Sequence, residues 1–183
     1  MAPELQAKYP EIRTYTGQGV DDPRQLIKLD LGPAGFHAMV FGIEETVVVE
    51  PMVQGNNRLY MTFRKADLGA EPWMCESEVH RGGGHDGHGE EKGKSGFGMV
   101  GDHSASARTS GGGNNPTGTQ LRTYRTAIGA TGEYTTFHGG TKALALAAMV
   151  TTMNRVNGIY ERDFTVTMVL VANNDTLIYT DPN

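Results

Sequence analysis

The sequence has little cysteine, no long apolar run and no basic cluster, and each absence excludes a class of protein. Cys75 is the one cysteine in 183 residues, so no disulfide can form within the chain. No apolar run approaches the roughly 20 residues that a membrane-spanning helix needs. The 16 basic residues are scattered, which argues against a nucleic-acid-binding face. Residues 1–11 lack the basic and apolar regions of a signal peptide.

Composition divides the chain into three parts. The first part, residues 1–79, alternates apolar and polar residues between turn signals from residue 12 onward. Residues 80–118 are rich in Gly, His and Ser, and residues 119–183 are strongly patterned. The middle part holds about half of the 25 glycines and few large apolar residues, so burial cannot offset its ordering entropy. We therefore predict a flexible linker between two folded parts.

The first part predicts an antiparallel β-meander. Gln25–Leu31 alternates at period two, a Gly-Pro-Ala-Gly turn follows, and Phe36–Ile43 returns. The β-branched run Thr46–Glu50 and the alternating run Arg58–Arg64 extend the sheet, which we expect to have one solvated face. His37 lies in one of these strands without a nearby partner and is interpreted as structural.

The third part predicts a β-α-β unit, so the fold class is α+β. Leu121–Tyr134 is interpreted as a strand that leads into a loop, Thr141–Glu161 as a helix, and Asp163–Ala172 as a second, buried strand. Thr176–Tyr179 is expected to pair briefly. The crossover should be right-handed.

One face of the predicted helix carries an apolar stripe. The stripe consists of Leu146, Met149, Met153, Val156 and Tyr160, widened by Ala143, Ala147 and Val150. Gly158 should weaken the last turn by about 1 kcal/mol relative to Ala. Two strands and one helix are too small for a domain, so we expect the sheet edges and the partner of the stripe to continue past Asn183.

Three runs carry a resemblance to a known family. Leu121–Tyr134, followed by Phe-His-Gly-Gly, resembles the catalytic-domain start of bacterial reprolysin-like metallopeptidases of the M12B type, which are metzincins. Residues 148–163 resemble the first helix of that domain, with Asn-Arg-Val-Asn-Gly-Ile-Tyr-Glu-Arg-Asp as the strongest match, and Val169–Asp175 resembles the second strand. Leu29–Phe41 resembles the propeptide that precedes the domain. The resemblance implies a β-rich propeptide, a linker and the truncated start of a metzincin catalytic domain.

The resemblance also implies a zinc endopeptidase whose ligands lie outside this chain. Metzincins use His-Glu-x-x-His-x-x-Gly-x-x-His, in which three histidines bind zinc and the glutamate acts as general base. That motif is absent from the sequence, so no catalytic residue is carried over. Some reprolysins hold calcium through an acidic residue near the first strand, but Arg122–Arg125 contains no acid, which leaves a calcium site without a ligand there.

Four residues are candidate metal ligands. Cys75 follows Pro72-Trp-Met, which loosely resembles the motif of propeptides that silence the enzyme by offering a thiolate to zinc, although Glu76 stands where Gly is expected. The alternative is an unremarkable cysteine or one that pairs with missing sequence. His80, His85 and His88 are candidates for weak metal binding, and a solvated His-rich linker is the alternative.

The leading hypothesis is the N-terminal part of a secreted zinc metalloendopeptidase zymogen, inactive alone, with its signal peptide upstream. Its partners would be the remainder of its own catalytic domain and, in the whole enzyme, protein or peptide substrates. A non-enzymatic inhibitor or metal-binding module is the alternative, and a small cytoplasmic α+β protein is a third hypothesis.

Overall fold

The computed structural model describes residues 1–53, 56–69 and 120–181. In chain order these residues form α1 (Pro3–Lys8), β1 (Arg13–Gln18), β2 (Leu26–Gly32), β3 (Gly35–Phe41), β4 (Thr46–Pro51), β5 (Tyr60–Arg64), β6 (Arg122–Thr126), α2 (Gly132–Phe137), α3 (Lys142–Phe164) and β7 (Val166–Leu170). The architecture is mixed α+β, as predicted. None of the helices described is long and apolar enough to cross a membrane.

Strands β1 to β5 form one antiparallel sheet in chain order. This confirms the predicted meander and adds β1 at one edge. The β2–β3 hairpin turns between Gly32 and Gly35, which face each other in the register. Gly35 has a φ of 114°, and a Cβ there would lie 2.7 Å from Oδ1 of Asn57. Only glycine fits this turn without strain.

The predicted β-α-β unit is also present. β6 and β7 pair in parallel, with Arg122 opposite Val166, and α3 connects them. The Thr141 hydroxyl caps α3 by accepting a hydrogen bond from the backbone N–H of Leu144 at 3.3 Å. The pairing expected for Thr176–Tyr179 is a single parallel bridge between Ala130 and Ile178.

Two short helices were missed. α1 lies in a segment for which no element was predicted, and α2 lies where a loop was expected. α2 begins after Thr131, whose hydroxyl accepts from the backbone N–H of Tyr134, and it ends before Gly139 and Gly140, which have positive φ. Both helices are too short for a hydrophobic period to be detected in the sequence.

The hydrophobic core closes within the described residues. Its buried cluster comprises Leu5, Ile12, Ala130, Ala145, Leu146, Ala147, Met149, Val150, Leu170 and Ile178. Leu5 and Ile12 come from the N-terminal segment, which is also fixed by a hydrogen bond from the Ala2 N–H to the carbonyl of Leu170 at 2.8 Å. Leu5 and Ile12 therefore cover the first half of the helix stripe, around Leu146 and Met149. The expectation that further partners of the stripe lie past Asn183 stays a prediction.

Residues on both sides of the predicted linker belong to one compact unit. The linker itself, residues 80–118, lies outside the described residues, and the division into three domains stays a prediction.

The buried face of α3 is rotated relative to the predicted stripe. Tyr160, at the end of the predicted stripe, is 39% exposed, whereas Thr151, Asn154 and Gly158 are buried. The apolar pattern marked only the first half of the buried face. The second half packs on a sheet surface that carries charged groups, so short polar side chains and glycine occupy it.

Two asparagine side chains replace backbone partners around β7. Asn157 donates from Nδ2 to the carbonyl of Met168 and accepts at Oδ1 from its N–H, both at 2.8 Å. Asn174, which is fully buried, does the same for Ile128 at 3.1 and 2.8 Å. Each amide satisfies a donor and an acceptor that would otherwise be buried without partners.

The packing of Gly158 generates a prediction that opposes helix propensity. A Cβ on Gly158 would lie 2.5 Å from Cζ of Phe41 and 3.0 Å from Cγ of Lys28. Gly158→Ala should therefore lower the free energy of unfolding by up to about 2 kcal/mol, because an overpacking cost of about 1–3 kcal/mol outweighs a propensity gain of about 1 kcal/mol. Thr152→Ala, on the exposed side of α3, is the matched control and should be neutral or stabilising. Urea unfolding measures both, and stabilisation by Gly158→Ala would contradict the close helix–sheet approach.

Candidate functional site

Charged side chains are buried where the sheet meets α3. Lys28 and Asp30 on β2 are each 5% exposed and lie on the side of the sheet that faces α3. Burying a charge is costly unless it is paired and hydrogen-bonded. The surface between β2, β3 and α3, which we call the polar seam, is therefore the first place to look for functional chemistry.

Lys28 links four elements of the fold. Its Nζ donates to Oε2 of Glu161 on α3 at 2.6 Å and to the hydroxyl of Thr16 on β1 at 2.9 Å. The other carboxylate oxygen of Glu161 accepts from the hydroxyl of Thr167 on β7 at 2.8 Å. One ion pair therefore connects the meander to the β-α-β unit.

Asp30 holds His37 and Thr151 together. Its Oδ2 accepts from Nδ1 of His37 at 3.1 Å and from the Thr151 hydroxyl at 2.6 Å. The sequence interpretation of His37 as lacking a partner is wrong, because Asp30 faces it across the β2–β3 ladder. The Thr151 hydroxyl donates to the carboxylate and not to the imidazole, so the contact between nucleophile and base that nucleophilic catalysis requires is not made.

An open cleft of about 380 Å³ lies beside this network. It is lined by Ala34, His37, Glu50, Pro51, Tyr134, Phe137, His138, Ala148, Thr151, Thr152 and Arg155. Nη2 of Arg155 lies 2.7 Å from Oε1 of Glu50, which forms an ion pair between α3 and β4. Neither the buried Nε nor Nη2 of Arg155 has a well-aligned hydrogen bond within the described residues. The cleft offers polar contacts but no catalytic constellation among these side chains.

His138 lines the cleft at one end of α2 and packs against two aromatic rings. Its ring lies 4.4 Å from the Tyr134 ring and 5.0 Å from the Phe137 ring, measured between centroids. Burial lowers the pKa of His138 and raises the pKa of Tyr134. Both shifts favour the neutral form, so this end of the cleft stays uncharged at neutral pH.

None of the candidate metal ligands from the sequence can be placed. Cys75, His80, His85 and His88 lie outside the described residues, so their proposed roles stay predictions. Within the part of the chain that the structure describes, no group of three His, Cys, Asp or Glu side chains could hold a metal ion. The described residues therefore do not fit a catalytic zinc.

The polar seam was missed, although the sequence carries a signal for it. Lys28 and Asp30 are two residues apart in an alternating strand, so they share a face. On α3, Thr151, Asn154 and Glu161 recur at helical spacing beside the apolar stripe. A stripe of polar residues that borders an apolar stripe in this way indicates a second packed surface.

The half-buried His138 should make stability depend on pH. Because its pKa is lower in the folded protein than in the unfolded chain, the unfolded chain takes up the proton first as pH falls. Its contribution to stability should therefore be complete above the ordinary histidine pKa and decline as pH falls through the lowered one. Between about pH 7.5 and about pH 5, the unfolding free energy of wild type should fall more than that of His138→Gln, because glutamine does not titrate. A pH-independent difference would contradict this.

One comparison with known proteins gives a match. Residues 120–183, about a third of the chain, match the family model of metallo-peptidase family M12B, Reprolysin-like. No curated protein and no solved structure matches the chain. M12B metallopeptidases are zinc-dependent in general, while the described residues contain no metal site. The β-α-β unit of this protein is thus similar to a segment of the M12B reprolysin-like metallopeptidases, a family of proteases.

Proposed function

We propose that this chain is the N-terminal part of a secreted zinc metalloendopeptidase precursor, in which residues 1–79 are a propeptide whose described part folds onto the start of the catalytic domain. The observation that carries the proposal is the polar seam. It joins the segment that matches the protease family to a sheet outside that match. The peptidase chemistry would reside in sequence beyond this chain.

The family-matching helix contacts the sheet at successive turns. Thr151 bonds to Asp30, and Asn154 Nδ2 donates to the carbonyl of Leu29 at 3.0 Å. Further along α3, Gly158 approaches Phe41 and Lys28, and Glu161 pairs with Lys28. Because these contacts recur at successive turns of α3, they support the view that the sheet is an intramolecular partner that stabilises the helix during folding.

The apolar core supports the same role. Leu5 and Ile12 bury α3 together with Leu170 and Ile178. Without the N-terminal segment, this part of the helix would lose its cover, at a cost of roughly 1.5–3 kcal/mol for each large side chain exposed. The proposed propeptide would therefore act first as a folding partner. Inhibition through Cys75, a leader upstream and cleavage in the linker are further parts of the proposal.

Coupling between the two parts is testable in the intact chain. Ile12→Ala should cost about 2–5 kcal/mol and speed amide exchange across residues 145–151 of α3, because it opens a cavity under the helix. Val20→Ala, at a residue that is 95% exposed, is the control and should leave exchange unchanged. Hydrogen-exchange mass spectrometry measures both. Unchanged exchange in α3 of the Ile12 variant would contradict the folding-partner role.

The chain alone should have no peptidase activity. The purified 183-residue protein, supplied with zinc, is expected to hydrolyse a quenched fluorescent peptide library no faster than buffer, because it lacks the His-Glu-x-x-His motif. Hydrolysis that co-purifies with the chain and is abolished by a zinc chelator would contradict this. The reading frame past Asn183 gives an independent test: it should encode that motif, and a stop codon directly after Asn183 would overturn the precursor assignment.

A non-enzymatic module is the second candidate, and one observation favours it. The first half of the apolar side of α3 packs against Leu5 and Ile12 inside the described residues, so the β-α-β unit already has a partner within this chain. A stop codon after Asn183, together with cooperative unfolding of the chain, would support this alternative.

A further inference from the structure

The side of the five-stranded sheet that faces away from α3 is apolar. Strand alternation places Ile27, Leu29 and Leu31 opposite to Lys28 and Asp30. The register then aligns Tyr15, Leu29, Ala38, Val49 and Thr62 in the central row across the sheet. We call this surface the outer face.

The outer face is partly exposed over a wide area. Leu31 is 49% exposed, Tyr15 48% and Tyr60 40%; between them Leu29 and Val49 are half-buried and Ala38 is buried. A solvated sheet face is normally the polar one. In β2 the charged Lys28 and Asp30 are buried against α3, while Ile27, Leu29 and Leu31 face outward, so the centre of the outer face has the composition of an interior surface.

We propose that the outer face binds the outer face of a second copy of this chain and forms a face-to-face β-sandwich dimer. Antiparallel sheets pack in this way about 10 Å apart, with their strand directions within about 30° of each other. The interaction is independent of the protease assignment, because it uses the surface opposite to the polar seam.

The charge distribution of the outer face suits self-association. Strand alternation places two charged residues of the strands, Arg13 and Arg64, on this face. Arg13 is the first residue of β1 and Arg64 is the last residue of β5, so they lie at diagonally opposite corners of the sheet. A two-fold axis parallel to the strands would put Arg13 of one copy over the corner that Tyr60 occupies in the other. That arrangement separates the arginines and allows a cation–π contact. A charged partner would find no complementary group in the interior of this face.

The size of the outer face predicts a reversible dimer. Five strands of about six residues span roughly 24 Å by 20 Å, on the order of 480 Å² of projected area per copy. Two copies would bury about 1,000 Å², near the lower limit for a specific interface. We expect a dissociation constant on the order of 10⁻⁵–10⁻⁴ M, which corresponds to a weak complex.

Sedimentation equilibrium of the full chain over a concentration series tests the proposal. Wild type should fit a monomer–dimer equilibrium. Leu31→Lys and Tyr15→Lys should each raise the dissociation constant roughly tenfold or more, because each places a charge inside the interface. Leu121→Lys, at an equally exposed leucine on another surface, should leave it unchanged, since Leu121 is 52% exposed.

Thermal unfolding checks that each variant is folded. A wild-type chain that stays monomeric up to about 1 mM would overturn the proposal. So would a dimer that Leu31→Lys and Tyr15→Lys leave intact, because association would then use another surface. If the wild-type chain is monomeric and the Lys substitutions lower its stability, the chain covers its own outer face, and this result would also overturn the proposal.

Discussion

The burial of Lys28 and Asp30 against α3 is the constraint on which the rest of this structure depends. Two charged groups under a helix require partners at fixed positions, and Glu161, Thr16, His37 and Thr151 supply them. Removing one partner of a buried ion pair destabilises a protein strongly, whereas the complete pair contributes little net stability. The seam therefore specifies how sheet and helix align more than it stabilises them.

This alignment has a consequence on each side of the sheet. Toward α3, the polar groups take up the surface that apolar side chains usually occupy, and the apolar core moves to the N-terminal end of the helix around Leu5 and Leu146. Away from α3, Ile27, Leu29 and Leu31 are turned outward by strand alternation. The polar seam and the apolar outer face thus have one cause: once Lys28 and Asp30 are buried, strand alternation places their apolar neighbours on the opposite face.

In the segment that matches the protease family, polar residues and glycine hold the helix in place. Asn157 completes the hydrogen bonding of β7, Asn154 and Glu161 bind the sheet, and Gly158 allows close approach.

The sequence by itself determined the elements with a clear period: the strands of the meander, the long helix α3 and the parallel unit around it. Period and turn residues are local properties, so they can be read without a structure. The tertiary structure alone decided which face of β2 is buried, that His37 is paired with Asp30, and that Leu5 and Ile12 cover α3. These depend on contacts between residues more than a hundred positions apart, such as Asp30 with Thr151, and no local pattern encodes such a partner. Alternation states that Lys28 and Leu29 lie on opposite faces; only the position of the helix decides which face becomes the inside.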